Sequence, residues 1–212
     1  RYITRIAPAL AEIQRAAEEI TAEPGIPTGT LRINAPRESV SLLFNLFDTY
    51  LQRYPQMRLD ITTESRMIDI VAEGYDAGIR LAESVPQDMI ASALTPDARM
   101  VIVGSPDYFA RHGIPQTPDS LADHHSIGMR MSHGGVYHWE LERHQHKFTV
   151  NVPPRMIVSE MQVIHRAALA GLGLAFISEW FIQDDLANGK LISVLDEWCP
   201  GFGGVRRYYP GP

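Results

Sequence analysis

The chain has 212 residues, enough for one large domain or two small lobes with a real core. Apolar residues make up 45% and charged residues 21%, the ordinary balance of a globular protein. A net charge of −6 lacks the positive footprint that duplex DNA requires, and the single Cys199 excludes an internal disulfide framework and fits a reducing cytoplasm. In chain order, the opening segment places Ile3, Ile6, Leu10, Ile13, Ala17 and Ile20 at alternating spacings of three and four. That is the narrow seam of a helix that pairs with another helix; the alternative is a helix lying on its own domain. Pro24, Gly25, Pro27 and Gly29 end it. "TLRINA" then alternates like a strand, and "SVSLLFNLFDTYLQRY" repeats apolar residues like a helix until Pro55. "MRLDIT" is strand-like, "SRMIDIVAEG" predicts a short helix closed by Gly74, and "DAGIRL" is strand-like again. Strand, helix, strand, helix, strand implies right-handed βαβ units and a parallel sheet.

A second block opens with "RMVIVG" (99–104), followed by Ser105 as an N-cap and Pro106 at the first helical position. Next come a strand-like "HSIGMRM", a hairpin from Trp139 to Val152, and a helix, strand, helix and strand from Ser159 to Val194. "GGVRRYY" closes the chain as one more strand. Gly171 and Gly173 imitate a nucleotide-binding fingerprint, but the order of elements is wrong. A phosphate cradle follows a strand and opens a helix. Here Ser159-Glu160-Met161-Gln162 reads as a capping box that starts a helix, and Gly171 falls at its left-handed end. The two glycines therefore turn a helix back into a sheet.

No G-x-S-x-G nucleophile elbow occurs, although Ser132-His133-Gly134-Gly135 resembles an esterase oxyanion loop. His144 and His146 share H-x-H spacing without an evident third ligand, so exposed loop histidines are expected and no metal site. Cys199 reads as a small buried side chain rather than a redox sensor. No apolar run is long enough to span a bilayer. The chain opens on Arg1, not Met, and is expected to be a fragment.

The stronger candidates follow the C-terminal ends of the predicted parallel strands, where open α/β sheets bind ligands. Arg37, Glu38 and Ser39 lead into a helix after the first strand, and Glu64 and Ser65 stand at a helix start after the second. Arg80 ends the third strand, Arg130 ends a strand of the second block, and Ser159 caps a helix there. Helix N-termini favour anions and arginines add bidentate carboxylate recognition. Glu38 and Glu64 oppose a strongly anionic ligand unless they pair with Arg37 or Arg80, so a cationic or neutral polar ligand stays open.

The chain as a whole resembles a LysR-type transcriptional regulator lacking its DNA-binding domain. The resemblance is carried by "GTLRI" (29–33), "YPQMRLDI" (54–61), "EGYDAGIRLAE" (73–83), "VGSPDYFARHGIPQTPDSLADH" (103–124), "AALAGLGLAFISEWFIQDDLANGKLISVL" (167–195) and "YYP" (208–210), in order and at the right spacing. It implies a type II periplasmic-binding-protein-like α/β fold of two Rossmann-like lobes with a cleft, preceded by a linker helix. The implied division is a linker and dimerisation helix over 1–24, lobe I over 29–96 and 204–212, and lobe II over 97–203. It also implies a winged helix-turn-helix upstream of Arg1 and a final helix after Pro212, and it accounts for the acidic charge by the absence of the basic DNA-reading module. By alignment to the family's motif, Arg37, Glu38, Ser39, Glu64, Ser65 and Arg130 fall where effectors lie; Glu38 and Glu64 stand where small hydroxyl residues are more usual. The expected function is effector sensing in a cytoplasmic homodimer, tetrameric at full length, with DNA contacted only through the missing domain and with no membrane, cofactor or catalysis. The alternatives are a solute-binding protein of a transport system and, more weakly, an enzyme. Lysine occurs only at Lys147 and Lys190, both away from the expected cleft.

Overall fold

The computed structural model describes residues 26–131 and 134–211. The predicted seam of Ile3, Ile6, Leu10, Ile13, Ala17 and Ile20 lies outside these residues, as do Ser132 and His133. The described chain begins with β1 (Gly29–Ala35), α1 (Arg37–Leu42), α2 (Phe44–Arg53), β2 (Met57–Thr63), β3 (Ala77–Leu81) and β4 (Met89–Ala93). It continues with β5 (Ala98–Gly104), α3 (Pro106–His112), β6 (Ser126–Met129), β7 (Trp139–Arg143), β8 (His146–Val150) and β9 (Pro154–Val158). Then come α4 (Met161–Leu169), β10 (Ala175–Ser178), α5 (Gln183–Ala187), β11 (Ile192–Val194), β12 (Gly201–Phe202) and β13 (Val205–Pro210). Two compact units result: the chain up to Pro96 together with Gly204 onward, and Asp97–Gly203.

The first unit is built on a five-stranded sheet in the order β2-β1-β3-β13-β4. β1 runs parallel to β2 and β3, but β13 is antiparallel to β3 and β4, so the expected parallel sheet is mixed. β13 re-enters after the second unit and runs against its neighbours. The period of two sorts the side chains. Ile33 pairs with Ile61 and Ala77 on one face, while Asn34 pairs with Thr62 and Gly78 on the other. Ile33, Ala35, Ile79, Val205, Leu43 and Phe47 are buried. Each apolar side chain so buried contributes roughly 1.5–3 kcal/mol relative to exposure.

Two predicted helices differ from the structure. The segment from Ser39 to Tyr54 is two helices, broken at Leu43 (φ −93°, ψ 8°), whose side chain is buried. The expected helix over 65–74 is only a run of turns at 70–74. Asp69 Oδ1 accepts from the amides of Val71 and Ala72 at 3.0 Å each, which caps a single turn that Gly74 ends at φ 73°. Ile70 is the one buried side chain of the stretch, while Met67 and Val71 are 47% and 54% exposed, too narrow an apolar face to stabilise a longer helix.

In the second unit β5 pairs antiparallel with β10, β11 and β12, β6 pairs parallel with β9, and β7–β8 is the expected hairpin. β5 is buried on both faces. Val101 and Val103 join Ile164, Ala168 and Ile177, while Ile102 joins Tyr108, Leu121, Trp139 and Phe176. That explains why "RMVIVG" reads as an unbroken apolar run. Ser105 Oγ caps α3 by accepting from the Tyr108 amide at 3.2 Å, with Pro106 opening the helix. The capping box at Ser159 does not form. α4 starts at Met161 with Glu160 at the cap position and no side-chain cap bond. The Arg130 amide donates to the Val158 carbonyl at 2.8 Å, and Glu160 is still extended at φ −115°, so the strand conformation outlasts Ser159. At the other end, Gly171 takes φ 68° and the Leu172 amide returns to Ala167 O at 3.1 Å. A Cβ on Gly173 would stand 2.8 Å from His125 O, so that glycine allows two backbones to meet.

Candidate functional site

Parallel pairing of β1 with β2 runs to Ala35↔Thr63, so both strands end level and their following turns leave the sheet side by side. The Glu64 amide fixes this by donating to Ala35 O at 3.0 Å. Pro36 takes the cap position of α1 and the helix begins at once with Arg37. Arg37 is therefore exposed in the first turn, Glu38 half-buried, and Ser39 inside the helix with 7% exposure. Across the gap, the Glu64 carboxylate accepts from the Arg66 amide at 3.2 Å, and Ser65 is exposed. Neither residue starts a helix, which corrects the expectation for that turn.

Arg80 is the bolt between the two turns. It is 3% exposed and lies within β3. Its Nη1 donates to Ile79 O at 2.7 Å and Asn34 O at 3.3 Å; its Nη2 donates to Asn34 Oδ1 at 2.6 Å, Arg66 O at 3.0 Å and Glu64 O at 3.2 Å. Burial holds its guanidinium below the usual arginine range, opposed by the fields of Tyr208 and Glu64. Asn34 and Tyr208 belong to this neighbourhood and were not singled out from the sequence. A polar residue in the otherwise apolar end of "TLRINA" was the signal for Asn34; Tyr208 carried none, since its position depends on sheet order.

The second unit repeats the device of level strand ends. Met129↔Val158 closes the parallel pair β6–β9, and Arg130 and Ser159 are the next residues on each chain. Both side chains are exposed, and Arg130 Nη1 donates to Gly134 O at 3.0 Å. The first-unit residues converge on one sheet end, and Arg130 and Ser159 converge on another. Elsewhere in this unit a cavity of about 80 Å³ lies among Gly128, Val136, Tyr137, Trp139 and Val150, below the several hundred Å³ of an ordinary small-molecule site.

Other reactive candidates are accounted for by their surroundings. Burial pushes the Cys199 thiol up to about 11, the opposite of a reactive thiolate. His144 sits at the tip of the β7–β8 hairpin and His146 opens β8; among the described residues no group of three or more His, Cys, Asp or Glu is placed to hold a metal ion. No helix among the described residues is long and apolar enough to cross a membrane.

Over residues 24–210 the chain matches the family described as LysR substrate binding domain. A protein of Pseudomonas aeruginosa named putative transcriptional regulator is 37% identical over 212 residues, covering 99% of this chain and 69% of the relative. The uncharacterized HTH-type transcriptional regulator YcaN of Escherichia coli is 33% identical over 207 residues, covering 97% of this chain and 68% of that protein. Among solved structures, CrgA, a LysR-type transcriptional regulator from Neisseria meningitidis, aligns with a TM-score of 0.77 at 27% identity, over 99% of this chain and 71% of that one. The full-length Vibrio cholerae virulence activator AphB aligns with a TM-score of 0.78 at 21% identity, over 97% and 70%. That likeness is one of fold.

Proposed function

Because the chain belongs to the LysR family of transcriptional regulators and is its effector-sensing regulatory domain, we propose that two sets of residues, taken unit by unit, take part in effector recognition. Arg37, Glu38, Ser39, Glu64, Ser65 and Arg80 form the first set, and Arg130 and Ser159 the second. The observation that carries this is the convergence at the end of β1 and β2, where one buried guanidinium fastens Asn34, Glu64 and Arg66. A turn so fastened presents Ser39 and the 64–66 backbone in a fixed geometry, which lowers the ordering cost of binding. Arg80 serves as scaffold more than as an open contact, since its Nη atoms are spent on protein oxygens.

In this reading 29–96 with 204–212 is lobe I and 97–203 is lobe II, preceded by a dimerising linker helix over 1–24. The working protein is a cytoplasmic homodimer, tetrameric at full length, that meets DNA through an N-terminal winged helix-turn-helix. It has no catalytic role and no cofactor. Its relatives are transcriptional regulators, so a solute-binding protein of a transport system is not favoured. An effector acts by binding one arrangement of the regulator more tightly than another.

The test is a pair of variants titrated with whichever compound class stabilises the chain. Arg130→Ala is expected to lower affinity about tenfold or more, the scale of a hydrogen bond to a charged group, and Ser39→Ala several-fold. Unchanged affinity in both, with the fold intact, removes these residues from the site.

A further inference from the structure

The first unit contains an unresolved electrostatic demand. Asn34 on β1, Gly78 on β3 and Tyr208 on β13 are register partners in one row across the sheet, so they share a face. Two residues along, Arg80 is paired with Arg206 on that same face. Gly78 lets the row close: a Cβ there would overlap Tyr208 Cζ and Oη, so the phenol lies across position 78. Asn34, Arg80 and Tyr208 are 0%, 3% and 1% exposed. Each nevertheless carries a polar atom without a hydrogen-bond partner: Asn34 Nδ2, Arg80 Nε and the Tyr208 hydroxyl. The first two can only donate, and the third can donate as well.

Charge points in the same direction as hydrogen bonding. The Nη atoms of Arg80 meet neutral oxygens alone, from Asn34, Ile79, Glu64 and Arg66. Among the described residues no carboxylate forms an ion pair with Arg80; Glu64 acts on it at longer range while its carboxylate accepts from the Arg66 amide. The residue directly opposite, Arg206, offers no carboxylate to Arg80. A buried charge needs a counter-charge, and buried donors need an acceptor. A water molecule would answer only the second need. An anion answers both.

We propose that Asn34, Arg80 and Tyr208 form a binding site for a small monoanion, a halide or a group of carboxylate size. Arg80 Nε, Asn34 Nδ2 and the Tyr208 hydroxyl donate to it, and enclosure of all three atoms limits the ligand to a few atoms. Two sources supply that chemistry: a free inorganic anion, or the carboxylate of the effector, the second resting on the effector-sensing reading above.

Bromide is the probe. The 212-residue chain is melted over a bromide series at constant ionic strength, balanced with gluconate, which is too bulky for an enclosed site, and crystals are soaked in bromide for anomalous scattering. The expected result is a saturable rise in melting temperature and a bromide peak at Arg80 Nε. Tyr208→Phe keeps the ring over Gly78 but loses one donor, so bromide affinity falls about tenfold. Asn34→Asp sets a carboxylate against Arg80 Nη2, so the bromide response disappears while the melting temperature in bromide-free buffer rises. Formate that competes with bromide supports the effector carboxylate as the source; bromide binding indifferent to formate supports a free halide. No saturable response in the unmodified chain, or an equal response in both variants, overturns the site. If bromide fails while an organic ligand still stabilises the chain, this site alone falls and effector sensing stands.

Discussion

His144 and Gln145 both adopt positive φ, 51° and 65°, at the tip of the β7–β8 hairpin. A two-residue hairpin of this kind favours Asn-Gly, because other side chains pay for the left-handed conformation. Replacing His144 with Asn and Gln145 with Gly is expected to stabilise the chain by about 1–2 kcal/mol, read as a higher midpoint in urea. No gain would show that the hairpin tip is held by contacts that offset the strain. His124 makes the second prediction at this scale. It is buried, and its Nδ1 lies 3.1 Å from the Tyr108 hydroxyl, which also accepts from the His125 amide at 3.1 Å. With its oxygen already accepting from that amide, the hydroxyl has its proton available for Nδ1 of a neutral imidazole. Burial first, then His112, holds the His124 pKa below the ordinary 6.5. The folded chain then binds fewer protons than the unfolded chain between the two values. Its contribution to stability is full above 6.5 and is lost as pH falls from there through the folded pKa. Urea midpoints should drop between pH 7 and pH 5, and His124→Gln should flatten that slope; an unaltered slope would assign it to other groups.

At the scale of elements, the helix-to-strand turn at Gly171 and Gly173 was legible because glycine's position after an apolar period has one physical meaning. Gly171→Ala is expected to cost about 1 kcal/mol by forcing a Cβ into φ 68°. Gly173→Val should cost more, since its Cβ meets a carbonyl oxygen that cannot swing away. Circular dichroism melts of the two variants rank them, and the reverse order would contradict the geometry. Elements that depend on long-range pairing were less legible. β9 keeps the chain extended past Ser159 because Arg130 bonds Val158 across the sheet, and no local motif announces that. The 65–74 stretch has helical spacing but buries only Ile70 and leaves Met67 and Val71 exposed, so most of its pattern had no core to face. Of the candidate site, the level ends of β1 and β2 followed from strand order, whereas the burial of Arg80 under two carbonyls became visible only with the register.

At the scale of the whole molecule, the family match over 24–210 and the two compact units describe the sensing domain of a LysR-type regulator. The proposed seam predicts that Leu10→Asp weakens the dimer in sedimentation experiments. Weakening rather than loss is expected, because α2 also exposes Phe44 at 66%, Leu46 at 45% and Leu51 at 39%, apolar surface suited to a second contact. An unchanged dimer would assign all association to such surfaces.

The most direct measurement of effector sensing is a thermal-shift screen of the chain against small acids, aromatics, amino acids and polyamines. A ligand at a hundred times its Kd stabilises by about 2.7 kcal/mol, roughly 5–10 °C for a chain of this size. The account predicts such a shift from one chemical class, diminished in Arg130→Ala and Ser39→Ala. A shift of equal size in both variants, or none from any class at saturating concentration, would contradict it.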